Sequence, residues 1–221
     1  MNVIFYSKLI VLYFTYRTAF SNNDTNVYVI QKGVSGETVD GMLHRLPIVL
    51  SKNTNIKYDI AIILGGTNDL YTRGNDPDHL AADILKLHKI AKKHGIPHTF
   101  VVTIPENKMV IRESLNSQQR RNFGLYAINE ILRKYVADKW IRYGHGSSVR
   151  LIDLERYMPW VDEYTNGVET SDDNLWLSDG LHMSKTGYDN FGKLIFKNIM
   201  NLLGLGLVYG PMTSKGTIPI Y

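Results

Sequence analysis

The chain has 221 residues, 44% hydrophobic and 21% charged, which is enough to bury the core of one domain over 1–205 with a tail at 206–221. The net charge of +4 is scattered, with "QQRRN" at 118–122 the nearest thing to a basic run, so the chain lacks the positive stripe that a nucleic acid requires. The absence of cysteine excludes disulfides, thiolate metal sites and a cysteine nucleophile, and leaves the compartment open.

The first twenty residues, "MNVIFYSKLIVLYFTYRTAF", are the most apolar stretch. Lys8 before an apolar run has the look of a secretory signal. However, Arg17 interrupts the run, no small-x-small cleavage site follows, and the stretch is too short for a stable membrane span. Read as the start of the domain, "NVIFY" (2–6) is a strand. Leu9, Leu12, Tyr13, Tyr16 and Phe20 would then form one face of the helix after it.

Four further short apolar runs rich in β-branched residues read as buried strands: "NVYVI" (26–30), "YDIAIIL" (58–64), "HTFVVTI" (98–104) and "VRLID" (149–153). Helical stripes lie between and after them. The first holds Val39, Met42, Leu43, Leu46 and Leu50, with Pro47 expected to kink or shorten it. The second holds Leu80, Ile84, Leu87 and Ala91, preceded by Asp76 as N-cap and Pro77 as first helical residue. The third holds Ile128, Ile131, Leu132 and Tyr135. The last holds Tyr188, Phe191, Ile195 and Ile199, stopping near Gly204. Strands alternating with helices predict a parallel sheet covered on both faces.

Ligands of such sheets bind outside the carboxyl ends of the strands. Three polar, glycine-bearing segments fall at or near those ends: "KGVSGET" (32–38), "GGTNDL" (65–70) and "SDGLH" (178–182). Asp179 and His182, three positions apart, are two members of a charge-relay set. A histidine can take a proton from a hydroxyl and return it to a leaving group, while an aspartate holds its tautomer. Acyl transfer also needs donors for the developing oxyanion. A glycine at position 36 admits a backbone N–H without a side chain in the way, and Asn68 offers an amide. Taken singly, each has a plainer reading. Gly36 suits a turn, the Asn68-Asp69 pair a turn or cap with Asp69 capping or bracing the loop rather than reacting, and the 179–182 stretch a surface turn before a helix capped by Ser184.

Together, Gly36 in "GVSGET", Asn68 in "GTND", and Asp179 and His182 in "DGLH" resemble three of the four blocks of the SGNH, or GDSL-type, hydrolases. The resemblance spans about 26–200 in the family's order, and "GVSGETVDGMLHRLP" is similar to the small lysophospholipase-type esterases. It implies a flavodoxin-like three-layer α/β/α sandwich and a Ser-His-Asp ester or thioester hydrolase needing no cofactor. The implied partner is a small-molecule ester. His182 and Asp179 would be catalytic, and Gly36 and Asn68 would form the oxyanion hole. Met183 stands where the family usually has proline after the histidine.

The fourth block, Gly-Asp-Ser-Leu at the end of the first strand, is not found. Ser7 stands at that place and is the candidate nucleophile, although "FYSKL" supplies neither the glycine nor the aspartate. Ser35 adjoins Gly36, but "GVSGE" is not the Gly-x-Ser-x-Gly elbow. Residues 1–25 are therefore atypical: either the start of the chain is truncated or misread, or the nucleophile is lost and the protein binds without cleaving. His94 and His98 in "KHGIPH" are four apart, yet Gly95 and Pro97 predict a helix end and turn rather than a metal site. Pro105 in "VTIPE" is expected to shape a loop at the ligand face. Trp160 and Trp176 could line an acyl pocket, although aromatics of this kind more often fill a core.

Overall fold

The computed structural model describes residues 2–6, 28–52, 57–73, 76–106, 124–159 and 175–204. Five strands form one sheet: β1 (Asn2–Tyr6), β2 (Tyr28–Gln31), β3 (Ile60–Ile63), β4 (His98–Val102) and β5 (Val149–Ile152). Their order is β2-β1-β3-β4-β5, and every pair is parallel. All five expected strands are present, each within a few residues of its expected limits. The stretch 2–6 occupies an interior place, with Val3 opposite both Val29 and Ile60.

The helices are α1 (Val39–Lys52), α2 (Leu70–Arg73), α3 (Pro77–Lys93), α4 (Leu125–Tyr143), α5 (Leu154–Tyr157) and α6 (Lys185–Leu202). Period-two alternation divides the strand side chains between two cores. Ala61, Ile63 and Val101 pack with Leu46, Leu80, Ile84, Leu87, Ile128 and Leu132 from α1, α3 and α4. Ile60, Ile62, Phe100, Val102 and Ile152 pack with Phe191, Ile195 and Ile199 from α6. The result is a three-layer α/β/α sandwich in the 2-1-3-4-5 strand order of flavodoxin-like folds. β3 and β4 bury nearly all their side chains, and each fully buried Ile or Phe is worth about 1.5–3 kcal/mol over its exposed state.

The caps follow local chemistry. Asp76 accepts a hydrogen bond from His79 N at 3.2 Å, with Pro77 opening α3. Ser184 Oγ accepts from Gly187 N at 3.1 Å and starts α6. At the end of α3, His94 caps the helix and Gly95 turns the chain at φ +85° toward β4, as expected of "KHGIPH". The described residues contain no group of three metal-ligating side chains. Pro47 does not shorten its helix. α1 continues past it to Lys52, with Leu46 and Leu50 on either side buried, so tertiary packing outweighs the missing N–H. Ser7, the helix expected over 9–20, Trp160, the basic run at 118–122 and the 206–221 tail lie outside the described residues.

No helix among the described residues is long and apolar enough to cross a membrane.

Candidate active site

In this strand order the direction of winding reverses between β1 and β3, and in sheets of this kind ligands bind outside the carboxyl ends at that point. The loops after β2 and β3 leave the parallel sheet at that same edge. After β2 the chain makes a turn closed by Glu37 N donating to Val34 O at 3.3 Å. Gly36 sits in its third position at φ +75°, a left-handed conformation that glycine adopts without the strain a side chain brings. The residue is exposed, and its N–H donates to no partner among the described residues.

After β3, residues 67–69 form a second turn leading into α2. Asn68 Nδ2 donates to Glu37 O at 2.8 Å, so the two loops are joined through the peptide next to Gly36. Asp69 is 1% exposed, and its carboxylate accepts from Val39 N at 3.0 and 3.2 Å. It therefore caps α1 from a distant part of the chain, in keeping with the bracing role read from the sequence. Burial is the largest influence on Asp69 and raises its pKa, against the lowering effects of the Val39 N–H and the Arg73 charge. Arg73 in turn reaches Asp83 at 2.6 Å and Asp40 at 3.1 Å, tying α2 to α3 and α1.

The third segment is a closed loop. Trp176 and Met183 form an antiparallel bridge, Leu177 N donates to His182 O at 2.8 Å, and Gly180 N donates to Leu177 O at 2.8 Å. Within it, one carboxylate makes three bonds. Asp179 Oδ1 accepts from Leu181 N at 2.8 Å and His182 N at 2.9 Å, while Oδ2 lies 2.8 Å from His182 Nδ1. The His182 backbone N–H, followed by the imidazole and the Leu181 N–H, holds the Asp179 pKa down at about 2. With Nδ1 engaged by a carboxylate, Nε2 is left as the ring's other position for exchanging a proton. Both side chains remain accessible, at 41% for His182 and 48% for Asp179.

Met183, next to His182, is buried in the same cluster as Leu64 and Leu154, the residues one and two places beyond the ends of β3 and β5. Trp176 packs against that cluster, in line with the core reading. Ser35 is exposed beside Gly36, and β1 ends at Tyr6, opposite Ile63. Two features under the rim were not read from the sequence. Arg45 forks onto Glu37, with Nε to Oε1 at 2.6 Å and Nη2 to Oε2 at 2.5 Å. Asn129, 0% exposed, holds both backbone groups of Ile104 at 2.8 Å and so fixes the loop before Pro105. The only signal for Asn129 was a polar residue on the apolar stripe of α4.

A family model described as the GDSL-like lipase/acylhydrolase family matches residues 12–189, which takes in Gly36, Asn68, Asp179 and His182 and begins after Ser7. No curated protein matches the chain by sequence. Among solved structures, a GDSL-like lipase from Bacteroides thetaiotaomicron is similar at 16% identity and a TM-score of 0.58, over 90% of this chain and 88% of that one. A lipase/acylhydrolase from Enterococcus faecalis is similar at 18% identity and a TM-score of 0.57, over 90% of this chain and 95% of the other. A carbohydrate esterase family 3 protein from Talaromyces cellulolyticus is similar at 16% identity and a TM-score of 0.57, over 79% and 72%. At these identities the likeness is one of fold.

Proposed function

The chain belongs to the GDSL-like lipase/acylhydrolase family, and from that premise we propose that it hydrolyses carboxylic or thioester bonds by a serine–histidine–aspartate mechanism. The observation that carries this reading is the hold of Asp179 on His182. One carboxylate oxygen fixes the loop backbone and the other engages Nδ1, so Nε2 is the nitrogen that works on substrate.

In this mechanism a serine hydroxyl attacks the acyl carbon while His182 Nε2 takes its proton. The carbonyl oxygen becomes an oxyanion, met by the Gly36 N–H and by Asn68 Nδ2. The bond to the alcohol or thiol then breaks, and His182 gives its proton to the leaving group. Water, deprotonated by His182, next attacks the acyl-serine; the acyl–serine bond breaks, His182 returns the proton to the serine oxygen, and the carboxylic acid leaves. The candidate nucleophile is Ser7, the residue that follows Tyr6, the last of β1, in the sequence.

The missing Gly-Asp-Ser block favours a second reading, a protein of this fold that binds esters without cleaving them. Hydrolysis of p-nitrophenyl acetate and butyrate by the full chain and its His182→Ala variant separates the two. The esterase reading expects turnover that falls on the order of 10³-fold or more in the variant. Equal rates in both proteins, or none in either, would reject it.

A further inference from the structure

The Gly36 turn is not held by its own backbone alone. Arg45, on α1, stands eight residues after Glu37 and reaches back to both ends of the loop. Nη2 donates to Lys32 O at 2.8 Å, where the chain leaves β2, and the Nε/Nη2 fork grips the Glu37 carboxylate at 2.6 and 2.5 Å. Side-chain exposure is only 25% for Arg45 and 13% for Glu37, so this ion pair is largely shielded from solvent. A planar guanidinium bound to two carboxylate oxygens and a carbonyl fixes direction as well as distance, which a point charge does not.

Glu37 is also where the two oxyanion donors meet. Its N–H closes the turn that presents Gly36, and its C=O receives Asn68 Nδ2 at 2.8 Å. Whatever holds Glu37 therefore sets the direction of the Gly36 N–H and the plane of the Asn68 amide together. We propose that Arg45 is a positioning residue for the oxyanion hole, acting through Glu37 on Gly36 and Asn68; this rests on the acyl-transfer reading above. Arg45 acts at one remove, through its bonds to the Glu37 carboxylate and Lys32 O. Its effect belongs to the transition state, because the donors it aims meet charge that is absent from the bound ester.

The test compares the full chain with Arg45→Met, Arg45→Lys and Glu37→Gln, using p-nitrophenyl butyrate kinetics, thermal midpoints, and NMR exchange of the Asn68 side-chain amide protons. Arg45→Met is expected to lower kcat roughly ten- to hundred-fold, with KM within about two-fold. Arg45→Lys, which keeps the charge and loses the fork, is expected to fall between it and the wild type. The Asn68 amide protons, held by Glu37 O, should exchange faster in Arg45→Met. The same substitution made on an Asn68→Ala background should cost much less in kcat, because the two changes act on one device. If Arg45→Met does not fold, Arg45→Lys and Glu37→Gln carry the same comparison.

Unchanged kcat and unchanged amide exchange in folded variants would overturn the proposal, as would a loss confined to KM or to thermal midpoint. If the wild type turns over no ester yet the Asn68 amide loosens without Arg45, the positioning inference stands and the esterase reading fails.

Discussion

At the scale of single residues, the account rests on which nitrogen of His182 faces the substrate. Asp179→Asn keeps an oxygen for the Leu181 and His182 N–H groups but places an N–H against Nδ1, which then accepts. That tautomer puts the proton on Nε2 and removes its basicity. We expect kcat to fall on the order of 10³–10⁴-fold, with little loss of folding stability for so accessible a pair. The pH dependence has a definite sign. Because the Asp179 pKa is lowered in the fold from 3.8 to about 2, its contribution to stability is present above the ordinary carboxylate range and disappears as pH falls through about 2. The stability difference between wild type and Asp179→Asn should therefore shrink as pH falls from about 4 towards 2. Urea titrations between about pH 5 and 2 measure it, and a difference that stays constant down to pH 2 would contradict the assignment. Asp179 and His182 were legible in the sequence because they lie three apart in one short loop. Arg45 and Glu37 were not, since an ion pair formed across a turn and half a helix has no local spacing to announce it.

At the scale of elements, the loop carrying the pair is seated by the first turn of α6. Gly187 approaches the chain so closely that a Cβ there would lie 2.1 Å from Leu175 O. Backbone cannot swing aside as a side chain can, and Leu175 O also receives Ser184 N at 2.8 Å. Gly187→Ala is expected to destabilise the protein by about 1–3 kcal/mol and to lower kcat by displacing the 176–183 loop. Thermal unfolding and ester kinetics on the same sample check both, and a variant as stable and active as wild type would refute the packing argument. Helix signals were read well where the chemistry is local, as at Asp76 and Pro77, where side chain and ring act within one turn. Pro47 does not end α1, because its cost is local whereas burial of Leu46 and Leu50 in the core is tertiary. The distant cap that Asp69 gives α1 could be guessed as bracing, but its partner, 30 residues earlier, could not.

At the scale of the whole molecule, the strand order does the gathering. Alternating apolar runs predicted a parallel sheet, yet only the order β2-β1-β3-β4-β5 puts the reversal of winding between β1 and β3. That order brings the ends of three strands remote in sequence to one rim: Tyr6, the Gly36 turn and the Asn68 turn. The family match over 12–189 agrees with this architecture and leaves the nucleophile to be found by chemistry. Labelling the folded chain with a fluorophosphonate and mapping the adduct by mass spectrometry is the most direct measurement. The account predicts one modified serine, with Ser7 the expected position, and loss of labelling in His182→Ala. An unlabelled folded protein, or labelling indifferent to His182, would contradict it.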